Sequence, residues 1–313
     1  MPAKPKLLVI AGPTASGKTA CAVETALLLG GEVVSADSMQ VYQGMDILSA
    51  MPRASETRGV PHHLLAVVPP SAKFSAAAYR ESALKAIEGI RARGKLPILC
   101  GGTGLYINAV TRPLSFSAQG DEALRRELEA VAAEPGGKNR LHAMLEEVDP
   151  QTAARLHPND VRRVSRAIEI YRLTGRTQTE QAALDAAREG PFDELFFALN
   201  WPREALYRRI ERRVELMLEE GLVREVQALM EDAEAQSTAR QAIGYKEIAA
   251  ALTGEMTMEE AVSLLKQATR NYAKRQMTWF RRDPRVHWIE AQGRSAGEIA
   301  AEIAERAKPW ISN

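Results

Sequence analysis

Apolar and polar positions follow two rhythms along this chain. Short, nearly unbroken apolar runs at 7–10 (LLVI), 32–35 (EVVS), 96–100 (LPILC), 194–200 (ELFFALN) and 285–289 (RVHWI) have the length of strands and read as a buried parallel sheet. Elsewhere apolar residues recur every three or four positions, which predicts helices over 18–29, 75–93, 203–220, 222–233, 241–252, 258–282 and 296–307. Gly30 with Gly31, and Gly94, stand where the first two of these helices should end. From about Asp121 to about Glu189 the rhythm changes to helix after helix with no convincing strand, broken at 135–137, 149–150, 157–160 and Gly175. The pattern predicts an α/β fold, a parallel sheet flanked by helices, carrying an all-helical insertion. The expected bounds are 1–118 with 194–313 for the α/β core and 119–193 for the insertion.

Ligands of such sheets bind beyond the carboxyl ends of the strands. The segments that follow three of the apolar runs carry the candidate chemistry. After 7–10 come Gly12, Pro13, Thr14, Ala15, Ser16, Gly17, Lys18 and Thr19, which fit the phosphate-cradling pattern G-x-x-x-x-G-K-[ST]. In such a loop the backbone N–H groups hold anionic oxygens, the lysine adds a point charge and the threonine hydroxyl is placed for Mg²⁺. The motif specifies polyphosphate binding, not phosphoryl transfer. A hydrolase or kinase of this kind usually has an apolar strand ending in an acid that holds the metal. Here LPILC runs into Gly101, Gly102, Thr103 and Gly104 with no acid, although Asp37 could serve a metal instead. Asp37 follows the 32–35 run, and by position alone it reads equally as a base or metal group and as a helix cap. Ser38 and Gln40 add groups able to read a base edge.

Composition narrows the picture only locally. Lys plus Arg is 41 against 40 for Asp plus Glu, so a basic partner surface must come from segregation of charge. Two stretches have it. In PNDVRRVSRAIEIYRLTG, the residues Val161, Val164, Ile168 and Tyr171 share one helical face while Arg162, Arg163 and Arg166 lie off it, and Asn159 or Asp160 should cap the helix. In ATRNYAKRQMTWFRR there are five basic residues and no acid, with Arg270, Lys274 and Arg281 on one face and Tyr272, Trp279 and Phe280 between them. Basic and aromatic side chains together suit phosphate contact and base stacking, although a solvated helix face gives the same pattern. The two cysteines, Cys21 and Cys100, read as small core residues rather than a disulfide or zinc site. No apolar run reaches a signal-peptide core or a membrane span, so a cytoplasmic protein without a membrane partner is expected, and a monomer.

Seven stretches in order resemble the tRNA dimethylallyltransferase (tRNA isopentenyltransferase) family, bacterial type: GPTASGKT at 12–19, DSMQVY at 37–42, PHHLL at 61–65, GGTGLY at 101–106, HPNDVRRVSRAIE at 157–169, QAIGYKE at 241–247 and KRQMTWFRR at 274–282. They span nearly the whole chain, with 111–140 matching only loosely. The zinc finger often found at the C-terminus of eukaryotic members has no counterpart here, which is why the bacterial type is expected.

The resemblance implies a P-loop, nucleoside-kinase-like core with a helical insertion that grips the tRNA anticodon stem-loop. It implies transfer of a dimethylallyl group from dimethylallyl diphosphate to N6 of adenosine 37 beside the anticodon, with Mg²⁺ as cofactor. The glycine loop would then hold a diphosphate that leaves intact, which accounts for the missing acid after LPILC. The resemblance gives Asp37 the role of base, places Thr103 at the target nucleotide, and puts Lys18 and Arg213, with Arg209 as the alternative, on the diphosphate. It implies tRNA contacts from Asp37, Ser38, Met39, Gln40, Thr103, Arg125, Arg162, Arg163, Val164, Ser165, Arg166, Lys274 and Arg281. Competing readings are an enzyme prenylating free AMP or ATP, a small-molecule kinase, and an RNA-binding module whose loop senses nucleotide. The insertion and its arginines speak against the first of these, because a free nucleotide needs no stem-loop grip.

Overall fold

The computed structural model describes residues 4–115, 120–232 and 239–312. Contacts divide the chain into two compact units, one of Met1–Thr111 with Pro191–Asn313 and one of Arg112–Gly190. The expected boundary at 118/119 lies outside the described residues.

The first unit is built on six parallel strands: β1 Lys6–Ala11, β2 Gly31–Ser35, β3 His62–His63, β4 Leu96–Gly101, β5 Asp193–Asn200 and β6 Val286–Glu290, in the order β3-β2-β4-β1-β5-β6. β1 is central, in register with β4 (Ile10 opposite Cys100) and with β5 (Ile10 opposite Phe197). Its side chains show why the apolar run is unbroken. Leu7, Val9 and Ala11 enter one core with Val34, Leu99 and Phe196, while Leu8 and Ile10 enter the other with Ile98 and Leu199. Both faces are covered, so neither set of positions tolerates polarity. The Lys18–Leu29 and Ala296–Ser312 helices cover the second face. The larger core lies under Ala76–Ala92, Gly104–Thr111, Arg203–Glu219, Leu222–Glu231, Tyr245–Leu252 and Met258–Arg281.

The structure amends several expected elements. The pair His62–His63 is an edge strand, held to β2 opposite Val33 and Val34, and too short to show an apolar rhythm. The helix expected from 241 starts at Tyr245, because Ala239–Gln241 is a 3-10 turn and Gly244 sits at φ +103°. A Cβ at Gly244 would also press on the Leu48 and Leu265 side chains. The helix expected over 222–233 stops at Glu231, and residue 233 lies outside the described residues.

The second unit consists, among its described residues, of five helices: Glu122–Ala133, Gly137–Val148, Pro150–Ala153, Val161–Thr174 and Gln178–Ala186. Their breaks carry the caps that stop and start them. Asp121 accepts from Ala123 N and Leu124 N; Asp160, rather than Asn159, accepts from Arg163 N; and Thr177 exchanges bonds with Glu180. Leu128, Leu141, Leu145, Val164 and Ile168 form the core of this unit. Asp149 is buried and accepts from Thr152 N, Thr179 N and Thr179 Oγ1. Burial pushes its carboxyl up, but these bonds outweigh that and hold it below the usual carboxylate range.

Candidate active site

The glycine loop joins β1 to the Lys18–Leu29 helix, whose first turn presents free N–H groups to it. Two residues take left-handed backbone, Ala15 at φ +62° and Gly17 at φ +87°. Such alternation curls successive amides into a concave anion nest. The loop carbonyls are tied back on protein donors. Pro13 O accepts from Ser16 N (3.2 Å), Ala15 O from Arg209 Nε (2.7 Å), Ser16 O from Trp201 Nε1 (3.0 Å) and Gly17 O from Cys21 N (3.1 Å). With the carbonyls held, the nest keeps its shape without a ligand. Ala15 in this backbone region costs on the order of 1–2 kcal/mol, which the surrounding bonds must hold in place.

Positive charge is gathered at this loop. Burial lowers the Lys18 ammonium from the ordinary lysine range, against the pull of the Asp37 carboxylate. Burial likewise lowers Arg213, which feels Asp37, Glu56 and Glu220 in the opposite sense, yet its guanidinium forms no hydrogen bond with the described residues. A half-buried guanidinium with no hydrogen-bond acceptor of its own is suited to an anionic ligand. Arg209 is instead anchored, its guanidinium 4.4 Å from the centre of the Trp201 ring and bonded to Ala15 O. Arg213 is therefore the freer of the two candidates for a diphosphate, with Arg209 shaping the loop. Both line a cleft of about 920 Å³ together with Ala15–Ala20 of the loop, Arg208, Arg212 and apolar Ile47, Met51 and Met217. Ser16 Oγ is buried without a partner and Thr19 is half-buried at the helix start. Two hydroxyls of this kind, with no carboxylate cage among the described residues, suit a cation bound largely through phosphate oxygens, as Mg²⁺ is.

Beyond β2, Asp37 opens a turn in which its Oδ1 accepts from Met39 N at 2.9 Å; no helix follows directly, so Asp37 holds a turn and is not the helix cap that its position also suggested. The turn is stitched to the loop after β4. Thr103 N donates to Ala36 O (3.1 Å), and Thr103 Oγ1 accepts from Ser38 N (3.1 Å). Glycine is required at 101, where a Cβ would come within 2.2 Å of Ala36 O. Asp37, Ser38 and Thr103 are thus brought together, as the sequence suggested. Gln40 departs from its expected role. Its Nε2 donates to Ala50 O (3.2 Å) and its Oε1 accepts from Ser35 Oγ (2.8 Å), so the carboxamide holds a turn instead of standing free for a base. Met39 packs partly against the core.

Further residues were missed by sequence reasoning. Gln276 reaches the glycine loop and the loop after β4 at once, accepting from Thr14 N (2.8 Å) and donating to Gly102 O (2.9 Å). Its signal was a polar residue on the helical stripe of Ala273, Met277 and Phe280, all buried. Glu225 accepts from Ile47 N and Leu48 N (2.8 and 2.6 Å) and fixes one wall of the cleft. Phe280 corrects the stacking expectation, since it is fully buried with its ring edge-on to Phe196 and Trp279. Arg270 is paired with Glu211 (2.8 Å), whereas Lys274 and Arg281 are exposed.

In the second unit the arginines separate by function. Glu169 is wholly buried and accepts from Arg166 (2.6 Å), Arg125 (2.9 Å) and Asp121 N (2.8 Å). Burial raises its carboxyl, but the Arg166 and Arg125 bonds outweigh this and hold it below the usual range. Arg125 and Arg166 are thereby paired with Glu169, yet both keep part of the side chain at the surface, 45% for Arg125 and 36% for Arg166. Val164 and Ser165 correct the expectation of RNA contact, because both side chains are buried, Val164 in the unit's core. Arg162 and Arg163 remain exposed, the latter 3.1 Å from Asp160.

A curled glycine loop between β1 and the Lys18–Leu29 helix, beside a carboxylate that sits after β2 rather than after β4, marks a P-loop enzyme of the group-transferring kind. The family model described as IPP transferase matches residues 40–283. A tRNA dimethylallyltransferase of Desulforudis audaxviator is 50% identical over 294 residues, covering 93% of this chain and 94% of that protein. The crystal structure of a tRNA isopentenylpyrophosphate transferase from Bacillus halodurans has 43% identity and a TM-score of 0.75, covering 99% of this chain and 97% of that one. A eukaryotic dimethylallyltransferase captured acting on tRNA has 31% identity and a TM-score of 0.84, covering 99% of this chain and 80% of that one. The chain belongs to the IPP transferase family, the tRNA dimethylallyltransferases.

Proposed function

We propose that this enzyme transfers a dimethylallyl group from dimethylallyl diphosphate to N6 of adenosine 37 of tRNA, releasing diphosphate. The observation that carries the reading is the half-buried Arg213 guanidinium, without a hydrogen-bond partner among the described residues, lining the same cleft as Lys18 and the glycine loop. Such a site stabilises negative charge that grows on a departing diphosphate. As the allylic C–O bond breaks, its electron pair leaves with the diphosphate and the carbon becomes cation-like. The N6 lone pair forms the new C–N bond, and the N6 proton passes to the Asp37 carboxylate. Asp37 keeps Oδ2 for this while Oδ1 is held by Met39 N. Thr103, bonded to Ser38, fixes the turn that carries the base. Thr19 and the diphosphate oxygens would hold Mg²⁺, which when bound supplies further neutralisation of the leaving group. The adenine must leave its stack to reach the donor, at a cost of a few kcal/mol. Arg162, Arg163, Lys274 and Arg281 supply exposed positive charge for RNA phosphates.

The test is a transfer assay with labelled dimethylallyl diphosphate and Mg²⁺, offering unmodified tRNA with adenosine 37, the same tRNA with guanosine there, and free AMP. Label on the first alone is the expected result. Label on AMP alone would make the protein a free-nucleotide prenyltransferase, and ATP consumption without label would make it a kinase.

A further inference from the structure

Gln276 is 5% exposed, and its one carboxamide spans two loops that come from distant parts of the chain. Its Oε1 takes the Thr14 N–H at 2.8 Å, an amide of the glycine loop that would otherwise face a phosphate. Its Nε2 gives a proton to Gly102 O at 2.9 Å, in the loop that carries Thr103. The fit is tight enough to dictate a neighbour, since a Cβ at Gly102 would lie 2.2 Å from Gln276 Nε2. One helical turn away, Tyr272 joins the same cluster. Burial and then the Asp37 carboxylate push its phenol up to about 12, while bonds with Thr103 and Gln276 act the other way. One carboxamide supplies the acceptor and the donor at once. Carboxylate cannot donate, lysine cannot accept, and the hydroxyl residues are too short.

Resting on the transfer reading above, we infer that Gln276 is a positioning residue that sets the donor-holding loop against the Asp37–Thr103 turn, and so governs the transfer step without binding either substrate. Diphosphate on the glycine loop and the base on its acceptor turn are held in one frame by this carboxamide. In a displacement between two bound partners, a misplacement of about 1 Å costs roughly 10²-fold in rate. Both loops persist without the strut, since each is fixed by other bonds, so substrate affinities change little.

The experiment compares wild type with Gln276→Met and Gln276→Glu. Single-turnover transfer by Gln276→Met should fall about 10²-fold, with dissociation constants for dimethylallyl diphosphate and tRNA each within about threefold of wild type. Gln276→Glu keeps the acceptor for Thr14 but donates to Gly102 only when protonated. Burial favours that form, so its rate relative to wild type should recover as pH falls, a signature that mere loosening of the fold would not give. A second arm needs no turnover. Binding of inorganic diphosphate should slow amide hydrogen exchange across 101–106 in the wild type but not in Gln276→Met. Unchanged transfer, equal losses in affinity and rate, or identical exchange in the two proteins would overturn the inference. A wild-type chain that transfers nothing would sink the functional reading instead, and the exchange arm would then decide this one alone.

Discussion

Replacing Asp37 by asparagine isolates its charge. The amide oxygen can still accept from Met39 N, the bond that closes the turn at 2.9 Å, so the loop should keep its path. Alanine would remove that bond too, at about 1 kcal/mol, and would confuse folding with chemistry. What asparagine cannot do is take the N6 proton. Loss of a positioned general base costs about 10²–10⁴-fold in rate, or roughly 3–5 kcal/mol of transition-state stabilisation. The structure also fixes the sign of a second effect. Asp37 is an anion acting on Lys18, Arg213 and Tyr272, so removing it leaves the cleft more positive. Affinity for inorganic diphosphate should therefore hold or tighten while turnover collapses. Rapid-quench transfer under saturating donor and tRNA, beside calorimetric titration of diphosphate, reads both. Turnover within about threefold of wild type would refute the base assignment, and a matched loss of diphosphate affinity would mean that Asp37 builds the loop instead.

Arg213→Ala should weaken diphosphate binding about 10–100-fold, the worth of one or two charge-assisted bonds, as measured by the same titration; unchanged affinity would leave Arg209 as the remaining candidate. Arg162→Ala should reduce the salt slope of tRNA binding by about one without altering the melting temperature. Arg166→Ala should do the reverse, because its loss strips a donor from buried Glu169 and costs on the order of 1–3 kcal/mol of stability. Acid should unfold the Arg112–Gly190 unit through Glu169 and Asp149. Both carboxyls lie lower in the folded protein than in the open chain, so their stabilisation is complete above the open-chain values near 4 and drains away as pH falls through the folded ones. A circular-dichroism titration in which Glu169→Gln leaves the acid midpoint unmoved would contradict this.

The strand runs were legible because burial on both faces leaves a parallel strand no polar position, and the glycine loop because its function demands particular residues at fixed spacing. Asp37 and Thr103 were legible by position, each following a strand end. Arginines were harder. Sequence gives their helical face but not their partner, and Glu169, some forty residues beyond Arg125, is the buried acid that ties down both Arg125 and Arg166. Gln40 and Gln276 failed for the same reason in opposite directions. A carboxamide's use is decided by loops that only the fold brings near, so one that looked free was bonded and one that looked incidental bridges two loops. The stretch KRQMTWFRR drew attention to its charges and aromatic rings, while its buried glutamine passed as a spacer.

The sheet order has a consequence for synthesis on the ribosome. β1 emerges first and finds β4 on one side, but its other edge is completed by β5, which lies beyond the whole of the Arg112–Gly190 unit. At about 5–20 residues per second, the newborn chain carries the bare β1 edge, apolar from Leu7 to Ala11, for on the order of ten seconds. An unpaired edge of that kind is a template for joining another chain. Fragments that stop before Asp193 should therefore be sticky, chaperone-bound products, and slow codons within the helical unit should lower the yield of active enzyme.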